Sequence, residues 1–276
     1  MIRKITAQSV LFAGTLLLAG FAAQAQVVGS QHDLTANGQA QGGGTANTDQ
    51  VCVFCHTPHG GDTNAPVPLW NKSLPAPGSY QRYSSIATPS FDSAEAPVGS
   101  VSLACLSCHD GAQAMDVVLN SPGSGGYADN GAEFDPNAIG VMTGEPVPML
   151  GTDLSIDHPI SMQYGGGGAV AGDPNNAQTP AGQLADPDFN RPYKTAINGE
   201  PIWWVDSAVG APGVREKTDM LLYTRDEATV AGGQQPFVEC GSCHDPHNSS
   251  TQGNGSVAFL RTSNAASAVC VACHTK

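Results

Sequence analysis

The chain has 276 residues, with 24 acidic against 11 basic side chains and a net charge of −13. That balance excludes a nucleic-acid-binding protein, because phosphate contacts need Lys and Arg, and it suits an exported chain kept soluble by its charge. With 33 Gly, 20 Pro and only 6% aromatic residues, the sequence lacks material for a conventional apolar core, so staples or cofactors must supply part of one.

In chain order, residues 1–25 read as a signal peptide. Arg3 and Lys4 form a positive start, an apolar run extends from Val10 to Ala22, and Ala23-Gln24-Ala25 gives a small-x-small cleavage site. The run is short for a membrane span, and no later stretch approaches one. No cysteine precedes Cys52, so no lipid anchor is expected. Removing two positive charges with the leader takes the net charge from −13 to −15. The remaining chain is expected outside the inner membrane.

Residues 26–276 read as a single domain in three stretches. Residues 26–115 hold two cysteine motifs, 116–239 form a Gly/Pro-rich central region, and 240–276 hold two more motifs. All eight cysteines fall into one pattern: Cys52-Val53-Phe54-Cys55-His56, Cys105-Leu106-Ser107-Cys108-His109, Cys240-Gly241-Ser242-Cys243-His244 and Cys270-Val271-Ala272-Cys273-His274. C-x-x-C-H is the attachment signature of c-type haem. Two thiols three apart lie on one side of a helical turn, where they form thioethers with the haem vinyl groups, and the next residue reaches the iron as proximal ligand. Disulfides suit an even cysteine count in an exported protein, but they require no His after each second cysteine. Zinc pairs do not require it either, and a thioredoxin-like motif occurs once, beside a βαβ pattern. Four copies that use every cysteine predict four covalent haem c groups with their irons.

The histidine count points the same way. His56, His109, His244 and His274 are the proximal ligands, and four histidines remain: His32, His59, His158 and His247. Four six-coordinate haems need four distal ligands, so all four are predicted as iron ligands. His59 and His247 follow a proximal His by three residues and point roughly its way. Axial ligands sit on opposite haem faces, so each should reach a neighbouring haem rather than its own. His32 and His158 cover the remaining two, with Asp33 and Asp157 beside them to orient the rings. Met142, Met149 and Met162 are read as packing. All-histidine ligation predicts low potentials and no open iron position, hence no catalytic residues and no enzyme.

The segments Gly42–Asn47, Ser121–Gly131 and Gly165–Asn176 carry no periodicity. Pro201-Ile202-Trp203-Trp204-Val205 predicts a short strand, Arg215–Leu222 a short helix, and the two tryptophans pack on a haem or the local core. No calcium site is expected, for want of EF-hand spacing. The fold expected is mostly irregular coil with short α-helices carrying the attachment motifs and few short strands, wrapped around a chain of four haems.

Several motifs together resemble a known family. They are His32-Asp33-Leu34, CVFCHTPHG at Cys52–Gly60, Pro68-Leu69-Trp70-Asn71, CLSCHDG at Cys105–Gly111, DHPIS at Asp157–Ser161, CGSCHDPHN at Cys240–Asn248 and the terminal Cys270–His274. In this order they resemble the secreted tetrahaem cytochromes of metal-reducing bacteria that polymerise into extracellular filaments, the cytochrome nanowires. Residues 165–235 carry no matching motif. The resemblance implies bis-histidine ligation, haems in alternating parallel and T-shaped pairs, and one distal histidine donated between subunits of a head-to-tail homopolymer. His32, near the new terminus and detached from any haem motif, is the residue expected to cross. The partners implied are upstream periplasmic or outer-membrane cytochromes and an extracellular acceptor, with no nucleic acid. A monomeric periplasmic electron shuttle would use the same cofactors; a haem oxidoreductase would need an iron position that the histidine count closes.

Overall fold

The computed structural model describes residues 27–35, 48–86, 93–122, 139–143, 148–168, 184–207, 210–228, 230, 233–248 and 259–276. The leader at 1–25 and segment 42–47 lie outside them, as do most of 121–131 and 165–176. No helix among the described residues is long and apolar enough to cross a membrane.

Helix is scarce. Helix α1 covers Ser100–His109, α2 Cys240–Cys243 and α3 Ala268–Val271, with single 3-10 turns elsewhere. Three attachment motifs therefore lie on or across short helices. The first does not: Cys52–Cys55 is a sequence of turns, closed by one helical bond from His56 N–H to Cys52 O at 2.8 Å.

The strands form one antiparallel sheet of order β1-β5-β4-β3-β2, made of β1 Met162–Gln163, β2 Tyr193–Ile197, β3 Glu200–Val205, β4 Met220–Arg225 and β5 Gln235–Val238. Its strands β2, β3 and β4 lie in the part of the chain where no motif was found, and β1 and β5 flank that part. β2 and β3 are joined by Asn198-Gly199, both at positive φ (54° and 87°), the two-residue hairpin turn whose twist matches that of the strands. The aromatic and β-branched run at 202–205 becomes β3, as expected. The helix expected at Arg215–Leu222 is corrected: residues 215–219 are loop and turn, and Met220 starts β4. The period is two, not 3.6. Met220 and Leu222 are buried on one face, paired with Val205 and Trp203, while Asp219 ends the loop by accepting Glu216 N–H and Ser207 N–H.

That face is the floor of the core. Trp203, Val205, Met220 and Leu222 pack with Tyr164, Leu184 and Ala272, and the partly buried Cys243 and Cys273 lie against them. Trp204 points to the other face and stacks on Tyr193 at 5.8 Å, as strand alternation requires. The third and fourth motifs thus rest on the sheet. A second apolar cluster (Tyr80, Val98, Leu103, Leu106, Leu154) holds α1 and the second motif. The first motif has only Val53 and Phe54 with half-buried neighbours.

Candidate functional site

A C-x-x-C-H turn ends where its helix ends, and this leaves carbonyls without intrahelical donors. In the first, third and fourth motifs the His N–H bonds back to the carbonyl of the first cysteine (Cys52, Cys240, Cys270). The next N–H turns away, so the following carbonyl needs another donor. All three motifs supply it in the same way.

A second chain segment runs antiparallel to the motif. Asn71 N–H donates to Cys55 O and Thr57 N–H to Leu69 O; Arg261 N–H donates to Cys243 O and Asp245 N–H to Phe259 O; Asn190 N–H donates to Cys273 O and Thr275 N–H to Asp188 O. The side chain of the same clamping residue then takes the exposed carbonyl. Asn71 Nδ2 donates to Val53 O at 2.7 Å, Arg261 Nε to Gly241 O at 2.9 Å and Asn190 Nδ2 to Val271 O at 3.1 Å. The second motif needs no such clamp. Its helix continues, Asp110 N–H caps Leu106 O, and Gly111 at φ 70° ends it in the left-handed conformation glycine favours.

The clamp residues Asn71, Arg261 and Asn190 were missed in the sequence. Of the three, only Asn71 belongs to a segment that drew attention, through the resemblance.

Prolyl carbonyls set two of the proximal rings, with or without a clamp. His56 Nδ1 lies 2.8 Å from Pro68 O and His109 Nδ1 2.8 Å from Pro148 O. A carbonyl only accepts, so each Nδ1 carries the proton and each Nε2 keeps its lone pair, the tautomer that a metal ligand needs. His158 Nδ1 bonds Pro159 O at 3.1 Å, and the His32 ring bonds the Pro246 carbonyl. Prolyl carbonyls, not carboxylates, orient these rings. The roles expected for Asp33 and Asp157 are corrected accordingly. Asp33 accepts from Gly29 N–H and from Thr35, closing its own turn, while Asp157 Oδ2 is buried with no hydrogen-bond partner.

The histidines come together in pairs. His32 faces His109 with ring centres 6.1 Å apart, His247 faces His56 at 6.1 Å, and His158 faces His274 at 6.5 Å. The three pairs share this spacing although their interplanar angles differ, 63°, 18° and 65°, and all are wider than His32 stacked on Phe259 at 4.1 Å and 8°. Two imidazoles on opposite sides of one metal, each with a metal–nitrogen bond of about 2 Å, place their ring centres roughly 6 Å apart. The residues present fit an iron between each pair. Burial, and next the facing His109, hold His32 down at about 4, and burial also lowers His109 and His158. Neutral rings are what ligation requires.

His32 therefore lies opposite His109 of its own chain. His59 is exposed, and among the described residues no imidazole faces it. His244 is bridged to Leu260 in the third clamp.

All eight cysteines are free thiols here. Burial pushes Cys55 and Cys273 up to about 12 and Cys243 up to about 11. The protonated thiol is the form that adds to a vinyl group to give a thioether. The attachment points are also neighbours. Cys105 hydrogen-bonds Cys240, and this raises the Cys105 thiol.

Met162 is buried in β1 and Met149 packs beside Gly111, as packing residues. In the loop from β3 to β4, carboxylate oxygens of Asp206, Glu216 and Asp219 gather within 4.8 Å of one another. Gly213 N–H bonds Asp206 there, and Asp219 accepts the amides named above.

A comparison with curated proteins finds no match. The model of the doubled CXXCH motif family matches residues 229–276, which span the third and fourth attachment motifs, the clamp of the third and His247, but not the fourth motif's clamp at Asn190. The match indicates covalently bound haem c and electron transfer of the multihaem c-type cytochrome kind.

Proposed function

We propose that this protein is a tetrahaem c-type cytochrome that passes electrons along four bis-histidine haems, as the protomer of an extracellular conducting filament. The observation that carries the four-haem reading is the pairing of three attachment histidines with three histidines remote in sequence, at 6.1, 6.1 and 6.5 Å. Haem irons, when bound, gain and lose single electrons. The chain's own part is to hold the Nδ1 proton of His32, His56, His109 and His158 against a prolyl carbonyl that accepts it, and to keep neighbouring attachment points in contact. No step makes or breaks a substrate bond. The leader at residues 1–25 supports export.

His32, His158 and His247 serve the haems of His109, His274 and His56. His59 remains for the haem of His244. It is exposed, and among the described residues no imidazole faces it, so we assign it, rather than His32, as the ligand donated between copies. A chain that gives one ligand away and receives one makes a head-to-tail contact, which grows into a filament where its rotation closes no ring. In the alternative, a monomeric periplasmic shuttle, His59 closes on its own chain.

The test is electron microscopy and electron paramagnetic resonance on wild-type protein and on His59→Ala, both purified from culture medium. Wild-type filaments that become single particles with one high-spin haem per chain in the variant support the reading. Wild-type protein that is monomeric with four low-spin haems overturns the filament and leaves the shuttle. A haem count below four overturns the tetrahaem reading itself.

A further inference from the structure

Four haems with the same pair of axial ligands are not separated by ligand identity, the strongest lever on haem potential. Differences between them come from hydrogen bonding to the ligands, distortion of the macrocycle, burial and fixed charge. Among the described residues one lysine, Lys72, is fully buried, with 0% exposure. It follows Asn71 directly, so the clamp on the first motif delivers it to the interior.

Its ammonium donates to Ala114 O at 2.9 Å, Met115 O at 3.2 Å and Val117 O at 2.7 Å. An ammonium has three N–H donors, and each has a carbonyl. A neutral amine would leave one of those carbonyls without its donor, so the cage selects the charged form. Burial lowers the pKa of this ammonium; ahead of Asp116, the groups that act against burial are the sulfurs of Cys108 and Cys55. These are second cysteines of the first two motifs. In the haem-loaded chain they are uncharged thioethers, and the field of Lys72 falls on the two macrocycles. Asp116, also 0% exposed, is the facing carboxylate, and it is engaged by Ile139 N–H at 2.7 Å and Gly140 N–H at 3.2 Å.

We propose that the buried ammonium of Lys72 raises the reduction potentials of the haems attached at Cys55 and Cys108 and so separates them in energy from the other two. The inference rests on the tetrahaem reading above. Reduction adds one negative charge to a haem, and a cation held nearby in a poorly screened interior favours that state. Lys72 is a tuning residue; it touches no iron.

The experiment is a spectroelectrochemical titration of the full haem-loaded protein at pH 7, after intact mass has established the haem count. A count below four defeats the tetrahaem reading, whereas the midpoints alone judge the role of Lys72. With four haems in place, Lys72→Met should lower two of the four midpoints by a factor of ten or more in the reduction equilibrium, 59 mV for a one-electron couple. Lys72→Arg should leave them near wild type. Should Lys72→Met fail to fold, Asp116→Asn keeps the lysine and removes its counter-charge, and the same two midpoints should rise. Four unchanged midpoints in Lys72→Met, or in Asp116→Asn where only that variant folds, would overturn the proposal. A drop in Lys72→Arg equal to that in Lys72→Met would also do so.

Discussion

The first attachment motif and the last two are built on opposite scaffolds. The last two rest on a five-stranded sheet, with Cys243 and Cys273 against the Trp203–Met220 floor. The first has no sheet beneath it and little apolar cover. Yet Asn71, Arg261 and Asn190 make the same bonds to their motifs. The clamp is therefore a local solution to the end of a one-turn helix, and the scaffold around it is free to differ. Where the sheet is lacking, buried polar side chains take over. Asn71 also donates to Asn120 O and accepts from Asn120 N–H, and Lys72 holds three carbonyls of 114–117.

The sharpest way to break this comparison is to remove the same clamp from each scaffold. Asn71→Leu keeps the branching and heavy-atom count of a fully buried side chain and strands Val53 O, Asn120 O and Asn120 N–H. At 1–3 kcal/mol for each buried group left without a partner, the loss should be about 4 kcal/mol. Asn190→Leu strands two carbonyls in a half-buried setting backed by the sheet, and the loss should be about 2 kcal/mol. Denaturant midpoints of the two haem-loaded variants decide it. Equal losses would mean that the sheet does not share the load.

The next effect follows pH. Glu239 precedes the third motif, is 1% exposed, and receives Ser102 Oγ at 2.6 Å, Ser161 Oγ at 3.1 Å and Arg225 Nη1 at 3.1 Å. Burial nevertheless pushes its carboxyl up to about 7 from 4.5, against the pull of those donors. A carboxyl raised in the folded state holds its proton there more firmly than in the unfolded chain. Between pH 4.5 and 7 the folded state binds more protons, so its stability falls as pH rises through that window and levels above it. The whole effect is on the order of 3 kcal/mol. Glu239→Gln should lose this slope between pH 5 and 7.5. A variant that keeps the slope would place its source elsewhere. Beside the first motif the buried charges are Lys72 and the Asp116 carboxylate that faces it.

How far the sequence reveals the site depends on which bonds hold it. The attachment residues are legible because covalent chemistry fixes their spacing within five residues. The clamps are not: Asn71 and Val53 are 18 apart, Arg261 and Gly241 20, Asn190 and Val271 81. Asn190 even precedes its motif, while the other two follow theirs. The distal histidines could be counted but not matched, since His247 meets a ring from the first motif. In the fold, β3 announced itself by its aromatic run. β4 did not, because the polar residues 215–219 beside two leucines imitate a helix when they in fact belong to the preceding loop.

The smallest effect concerns one glycine. The position after the first cysteine is Val53, Leu106 and Val271 in three motifs but Gly241 in the third. There the sheet presses on the motif. A methyl at Gly241 would collide with the Tyr223 hydroxyl of β4, lie 2.9 Å from its Cζ and sit 3.1 Å from Val101 Cγ2 of α1. Gly241 is not at positive φ, so the obstacle is space rather than backbone strain. Tyr223 is itself held, with a hydrogen bond to the clamp residue Arg261, and cannot simply swing away. Gly241→Ala should cost about 2 kcal/mol by overpacking, and adding Tyr223→Phe should return part of it by removing the hydroxyl. Val53→Ala, in the motif without a sheet, should show no such coupling to a strand residue. If Tyr223→Phe fails to rescue Gly241→Ala, the contact with β4 is not what excludes a side chain there, and α1 becomes the surface that selects glycine.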